Sequence, residues 1–121
     1  DNADRLVIVD IKTGKSPATK DDAQRHAQLA MYQLAVAEGV LPEGDEPGGG
    51  LLVYPGKTTA GGVTERTQDA LTEDTAQQWR DTVTEAAAAT RGPHFVARAN
   101  AGCGHCPVRP ICPAQNPEGR S

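Results

Sequence analysis

Aromatic residues are the scarcest component of this 121-residue sequence, with one Trp, one Phe and two Tyr. A chain of this length forms one domain or part of one, and with so few rings its core has to be aliphatic. No apolar run approaches the roughly 20 residues of a membrane-spanning helix, and no basic-then-apolar leader opens the chain. A soluble, intracellular protein with no membrane partner is therefore expected. Cysteine is nearly absent as well: three residues, all in the last fifth of the chain. An odd number at close spacing argues for metal ligation and against the disulfide framework of a small secreted domain. Excess positive charge is also missing. The formal net charge is -4, which excludes a polyanion binder that works by overall charge. The charges are unevenly placed: residues 1–37 hold five basic and five acidic residues, 38–90 hold three and ten, and 91–121 hold four and one. Lys12, Lys15, Lys20, Arg25, Arg91, Arg98 and Arg109, at the two ends, are where a phosphate backbone is tolerated.

What the sequence does have is the stretch Leu6 to Lys15, LVIVDIKTGK. Four apolar residues, three of them β-branched, run into Asp10-Ile11-Lys12 and a Thr13-Gly14 turn, the pattern of an interior strand buried on both faces. Side chains alternate across a strand, so Asp10 and Lys12 share a face. An Asp there can hold a divalent metal through oxygen, the Ile11 carbonyl can add a ligand, and Lys12 can orient an attacking water or steady a phosphate. Gly14-Lys15-Ser16 invites comparison with a phosphate-binding loop, but that motif needs a glycine where Val9 stands, and Pro17 interrupts the helix that would have to follow. An ATP site here is rejected.

Thr19 and Asp22 mark a helix start, and a helix is expected to run to about Glu38, ended by Gly39 and Pro42. Ala23, Ala27, Ala30, Met31, Leu34 and Ala35 recur at helical spacing as its buried stripe. Gln28 and Tyr32, at i and i+4, stand side by side and can reach one ligand. Glu43 to Gly50 reads as an acidic, glycine-rich hinge. Leu51–Tyr54 and Val63–Gln68 read as a hairpin joined by a turn over Pro55 to Gly62. Thr72 caps a helix from about Glu73 to Thr90, with Ala76, Trp79, Val83, Ala86 and Ala87 inward and Gly92-Pro93 as its stop. Phe95 and Val96 are expected to anchor the tail. Asp1 to Asp4 reads as a turn before the first strand, with no Met, so a segment of a longer polypeptide is expected.

Gly102 to Gln115 carries Cys103-x2-Cys106-x5-Cys112 on a loop rich in Pro and Gly. With little apolar surface to order it, such a loop invites a metal. Either His94 or His105 completes a Cys3His zinc site, or a fourth cysteine outside this chain completes an iron-sulfur cluster.

Taken together, VDIKTGK, then QLAMY at Gln28 to Tyr32, then the cysteine trio resemble the RecB-like branch of the PD-(D/E)XK nucleases, nearest to the domain fused to UvrD-like helicases in bacterial AddAB- and AdnAB-type recombination enzymes. The resemblance implies an α/β fold: a partial nuclease core over residues 1–92, a small mixed sheet flanked by helices, followed by a cysteine-bearing tail over 93–121. It implies Mg2+- or Mn2+-dependent phosphodiester hydrolysis of DNA, with Asp10 and Lys12 at the metal and water, and Gln28, Leu29 and Tyr32 in the active-site and DNA-contacting motif. It also implies that Cys103, Cys106 and Cys112 join an earlier cysteine to hold a 4Fe-4S cluster. The implied partners are DNA, an ATP-dependent helicase motor in the same polypeptide and a second helicase-nuclease subunit, in the bacterial cytoplasm, in recombination and repair. The family's upstream acidic residue has no counterpart here, so the segment alone is expected to be inactive. The rival expectation is a non-catalytic, zinc-stabilised module that binds DNA or protein.

Overall fold

The structure, a computed structural model, describes residues 1–14, 16–59 and 62–115, with the backbone alone for 57–59. Lys15, one of the basic residues named above, lies outside them. The chain divides into two compact units, residues 1–84 and 85–121.

The first unit is built on a three-stranded sheet in the order β1 (Leu6–Ile11), β2 (Pro47–Thr59), β3 (Gly62–Gln68). β1 and β2 are parallel, and β2 and β3 form an antiparallel hairpin. The parallel pair is joined through two helices, α1 (Lys20–Gln24) and α2 (Ala27–Ala37). Ala23, Leu29, Leu52 and Tyr54 form the core, with Ile8 and Ala18 packed against it. The fold is therefore α/β, a small mixed sheet with helices, as the sequence implied.

Several expectations are corrected. β1 is not buried on both faces: it is an edge of the described sheet, and Val7, Val9 and Ile11 are 42%, 59% and 66% exposed. The helices cover one face only, so only the alternate residues Leu6, Ile8 and Asp10 are shielded.

The single helix to Glu38 is interrupted at Arg25 and His26. His26 is the N-cap of α2, its Nδ1 accepting from the Leu29 N–H at 3.4 Å. A break resets the helical phase. The buried stripe of α2 is thus Leu29, Ala30, Gln33, Leu34 and Val36, while Ala27 is exposed and Met31 and Ala35 are half-buried.

The third correction concerns the glycines. Gly48 to Gly50 are part of β2, not a hinge. Leu6 pairs with Pro47 and Ile8 with Gly50, so β2 carries one extra residue at this point. Gly49 absorbs it with φ at +102°, and a Cβ there would meet the Gln68 carbonyl oxygen at 2.8 Å. A Cβ on Gly50 would stand 3.1 Å from Leu29 Cδ1, so a bare backbone is what lets α2 lie close on the sheet.

β2 continues to Thr59, so Pro55 to Thr59, expected in the turn, extend the hairpin past a register shift after Tyr54. Residues 60 and 61 of that turn lie outside the described residues. α3 (Glu73–Ala89) starts where Thr72 Oγ1 accepts from the Thr75 N–H at 3.3 Å. Its inner side is shorter than the periodicity suggested: Ala76 is buried, Trp79 and Ala87 are half-buried, and Val83 and Ala86 are exposed.

In the second unit the chain past Gly92 has no regular secondary structure as far as Asn100 and then forms two short 3-10 helices, Ala101–His105 and Arg109–Ile111. Phe95 and Val96 are 74% and 76% exposed, so neither is an anchor. No described residue of this unit is buried. Among the described residues, no helix is long and apolar enough to cross a membrane.

Candidate active site

Asp10 ends β1 on its shielded face, and Lys12 follows it two residues on. The register holds that end: Asp10 stands beside Leu52, Ile11 beside Val53, and the Lys12 N–H donates to the Val53 carbonyl at 2.8 Å. Lys12 Nζ lies 2.8 Å from Asp10 Oδ2, both side chains partly shielded from water. The approach is not directed as a hydrogen bond, and Oδ2, though buried, has no hydrogen-bond partner. The carboxylate is neutralised by charge while a lone pair stays uncommitted, an arrangement that a protein interior tolerates only beside an opposite charge.

α2 supplies the other half. Lys12 Nζ donates to Gln28 Oε1 at 2.7 Å, and Gln28 Nε2 donates to Tyr32 Oη at 3.0 Å. An ammonium has no acceptor, so Gln28 has to turn its carbonyl towards Lys12 and its NH2 towards Tyr32. Tyr32 Oη accepts from Gln28, which leaves the phenolic proton directed elsewhere, on a side chain that is 45% exposed. Asp10, Lys12, Gln28 and Tyr32 thus form one continuous chain from the strand end to the helix surface. Leu29, between the two helix residues, is fully buried and fixes the face they present. Ile11 points its side chain to the opposite, exposed face, leaving only its backbone on offer.

An oxygen ligand set for a hard cation is partly present. Asp10 fits as one ligand, since its Oδ2 is buried and carries no hydrogen bond. Among the described residues, no group of three or more His, Cys, Asp or Glu converges to hold a metal. The same holds for the tail. Cys103, Cys106 and Cys112 are free thiols, each half-buried. The backbone orders them through short turns: Asn100 Oδ1 accepts from the Gly102 N–H at 2.8 Å, and the Asn100 N–H donates to Cys103 Sγ at 3.2 Å. The rejected phosphate-binding loop has no helix behind it, for α1 begins only at Lys20.

Sequence reasoning missed a set of residues that hold this site in place. Gln68, at the end of β3, donates from Nε2 to the Ala23, Gln24 and His26 carbonyls, each at 3.1 Å. The Ala23 and His26 carbonyls also accept from the His26 and Ala30 N–H groups, so Gln68 adds a second donor to each and bridges the break between α1 and α2. Gln33 Nε2 donates to Gln68 Oε1 at 2.9 Å, and Gln33 Oε1 accepts from the Leu71 N–H at 3.1 Å. Both glutamines are buried. Ala18, in the loop after Lys12, is held from both sides: Tyr54 Oη accepts its N–H at 3.1 Å and Arg66 Nε donates to its carbonyl at 2.9 Å. Gln33 stands four residues after Leu29, on the buried stripe, and Gln68 shares a strand face with Arg66. Those two spacings were the available signal.

No curated protein matches the chain. The sequence model of one family, the PD-(D/E)XK nuclease superfamily, matches residues 1–113. With a match over nearly the whole chain and a strand-end Asp-x-Lys step met by a Gln and a Tyr from the following helix, the chain belongs to the PD-(D/E)XK nuclease superfamily.

Proposed function

We propose that this chain is part of a metal-dependent DNA nuclease of the RecB-like branch, acting beside a helicase motor in a longer polypeptide. The observation that carries the site assignment is the continuous chain Asp10, Lys12, Gln28, Tyr32, with Asp10 Oδ2, ion-paired to Lys12 but without a hydrogen bond, at its buried end. Asp10 and the Ile11 carbonyl would hold Mg2+ or Mn2+, which when bound activates water and neutralises charge at the scissile phosphate. Lys12 balances the Asp10 carboxylate and can swing its ammonium to the charge that develops on the phosphate. Gln28 holds Lys12 in place by accepting from it. Tyr32, with its oxygen already engaged by Gln28, has a proton to donate to a phosphate oxygen and so orients the strand.

Residues 1–92 serve as part of the nuclease core and 93–121 as a metal-cluster tail, in which Cys103, Cys106 and Cys112 supply three ligands of a 4Fe-4S cluster. The support is three free, half-buried thiols in a segment with no buried residue of its own. A zinc-bound, non-catalytic module is the competing outcome. The recombination and repair role, the bacterial cytoplasm and a second helicase-nuclease subunit follow from the same branch assignment.

The test is DNA cleavage by the full-length polypeptide with Mg2+ or Mn2+. Asp10→Ala and Lys12→Ala should each abolish cleavage and leave the helicase ATPase intact, whereas equal loss of both activities would mean a folding defect. Gln28→Ala and Tyr32→Phe should slow cleavage without abolishing it, as positioning groups do. The 121-residue chain alone should not cleave, because one carboxylate is too little to hold a hard dication. Metal-dependent cleavage by it, lost in Asp10→Ala, would show that a second acidic ligand lies within these residues.

A further inference from the structure

Residues 85–121 contain a second feature that the nuclease chemistry does not use. A surface hollow of about 310 Å³ is lined by Arg91, His94, Phe95, Val96 and Arg98, together with Ala88 and Ala89, and no acidic residue lines it. Phe95 is the chain's single phenylalanine, in a sequence starved of aromatic rings, and it is 74% exposed. Among the described residues neither the Arg91 nor the Arg98 guanidinium has an ion pair or a hydrogen bond. The arginines of residues 1–84 are all engaged: Arg5 with Asp1, Arg25 with Asp22, Arg80 with Glu38 and Glu73, and Arg66 with the Ala18 and Glu65 carbonyls. Unpaired guanidiniums lining the same hollow as an exposed ring, with no carboxylate among the lining residues, form a surface complementary to a flexible polyanion that carries flat apolar groups.

We propose that this hollow is a binding groove for single-stranded nucleic acid, in which a base stacks on Phe95 while Arg91 and Arg98 neutralise flanking phosphates. The choice of polymer rests on the nuclease reading, and the choice of site rests on the groove itself. A duplex would offer only its phosphates, because its bases are already stacked, and an acidic peptide would engage the arginines without needing the ring. Single strands satisfy both halves of the groove. Stacking of one base is sequence-tolerant, so the groove would guide a strand and leave its sequence unread.

The experiment measures the anisotropy of a fluorescein-labelled oligothymidylate titrated with the full chain, in EDTA to suspend hydrolysis, over a range of salt. Phe95→Ala should weaken binding by roughly 5- to 150-fold with little change in salt dependence, and Phe95→Trp should retain or tighten it. Arg91→Gln with Arg98→Gln should lower the slope of log K against log salt by about 1.4, two phosphate contacts at about 0.7 each. These side chains are exposed, so circular dichroism should show the fold unchanged in every variant. Wild-type affinity and slope in the Phe95 and arginine variants would overturn the proposal. So would equal affinity for a duplex, or full competition by a poly-glutamate peptide of the same charge. Since no hydrolysis is involved, a nuclease reading that fails through Asp10 leaves this result standing, and the reverse holds as well.

Discussion

In residues 1–84 the polar groups are committed to one another. Gln68 bridges three carbonyls at the break between helices, Gln33 locks Gln68 to the chain beyond β3, and Arg66 with Tyr54 holds both sides of the Ala18 peptide. In residues 85–121 none of the described residues is buried, and order comes from backbone turns around Asn100 and the three cysteines. Phe95, Val96, Val108 and Ile111 stand exposed there. The first unit has a hydrophobic core to offset the loss of chain entropy; the second has almost none, and groups bound from outside would have to supply it. Among the polar groups of the first unit, Asp10 Oδ2 stands out as buried and ion-paired to Lys12 yet without a hydrogen bond.

The largest break in this contrast should come from metal removal. If the cysteines hold a cluster in the full-length polypeptide, chelation should let the amides of residues 100–115 exchange at open-chain rates while those of β1, β2 and α2 stay protected. Unchanged exchange in the tail would mean that its turns are stable without metal. Next is core truncation. Leu52→Ala should cost roughly 2–5 kcal/mol in denaturant unfolding, because Leu52 is fully buried. Ile111→Ala, at an exposed position, should lie within about 0.5 kcal/mol of wild type. Similar losses at the two sites would erase the distinction between the units.

Smaller again is the glutamine lock. Gln33→Leu removes a donor and an acceptor from buried partners and should cost about 1–3 kcal/mol, and the Gln33→Leu, Gln68→Leu double variant should cost less than the sum of the two singles. Additive costs would show that the two amides do not act as a unit.

The smallest effect is electrostatic. The Asp22 carboxyl is held below its ordinary value first by the Thr19 hydroxyl at 2.7 Å, which desolvation opposes and the Arg25 charge assists. A lowered value means that this contribution to stability is present above the ordinary carboxylate range and is lost as pH falls through the lowered value. Thr19→Ala should move the Asp22 titration, followed by NMR, back up. An unmoved titration would assign the shift to Arg25 instead.

The elements that sequence periodicity made legible are those whose neighbours lie close in the chain. Thr72 as the start of α3, the hairpin of β2 and β3, and the i, i+4 adjacency of Gln28 and Tyr32 follow from local spacing alone. The break at Arg25 and His26 was not legible because the amide that bridges its carbonyls, Gln68, stands more than forty residues away. The glycines at 48–50 looked like a hinge because nothing in their composition states that Leu29 lies against them. The apolar run of β1 suggested burial on both faces, yet burial depends on what covers a strand, and helices cover only one face here. Of the candidate site, strand parity put Asp10 and Lys12 on one face; that Gln28 completes the link between Lys12 and Tyr32 needed the packing of α2 on the sheet.

The most direct test of the central claim is single-turnover cleavage of labelled DNA by the proposed full-length polypeptide carrying Asp10→Asn, titrated with Mn2+, beside the ATPase of the proposed helicase motor. The variant keeps the shape of the side chain and removes only the charge that holds the cation. Cleavage should be abolished, or recovered only in part at much higher Mn2+, with ATPase at the wild-type rate. Wild-type cleavage at wild-type Mn2+ would contradict the account and leave Asp10 as no more than a strand end paired to Lys12.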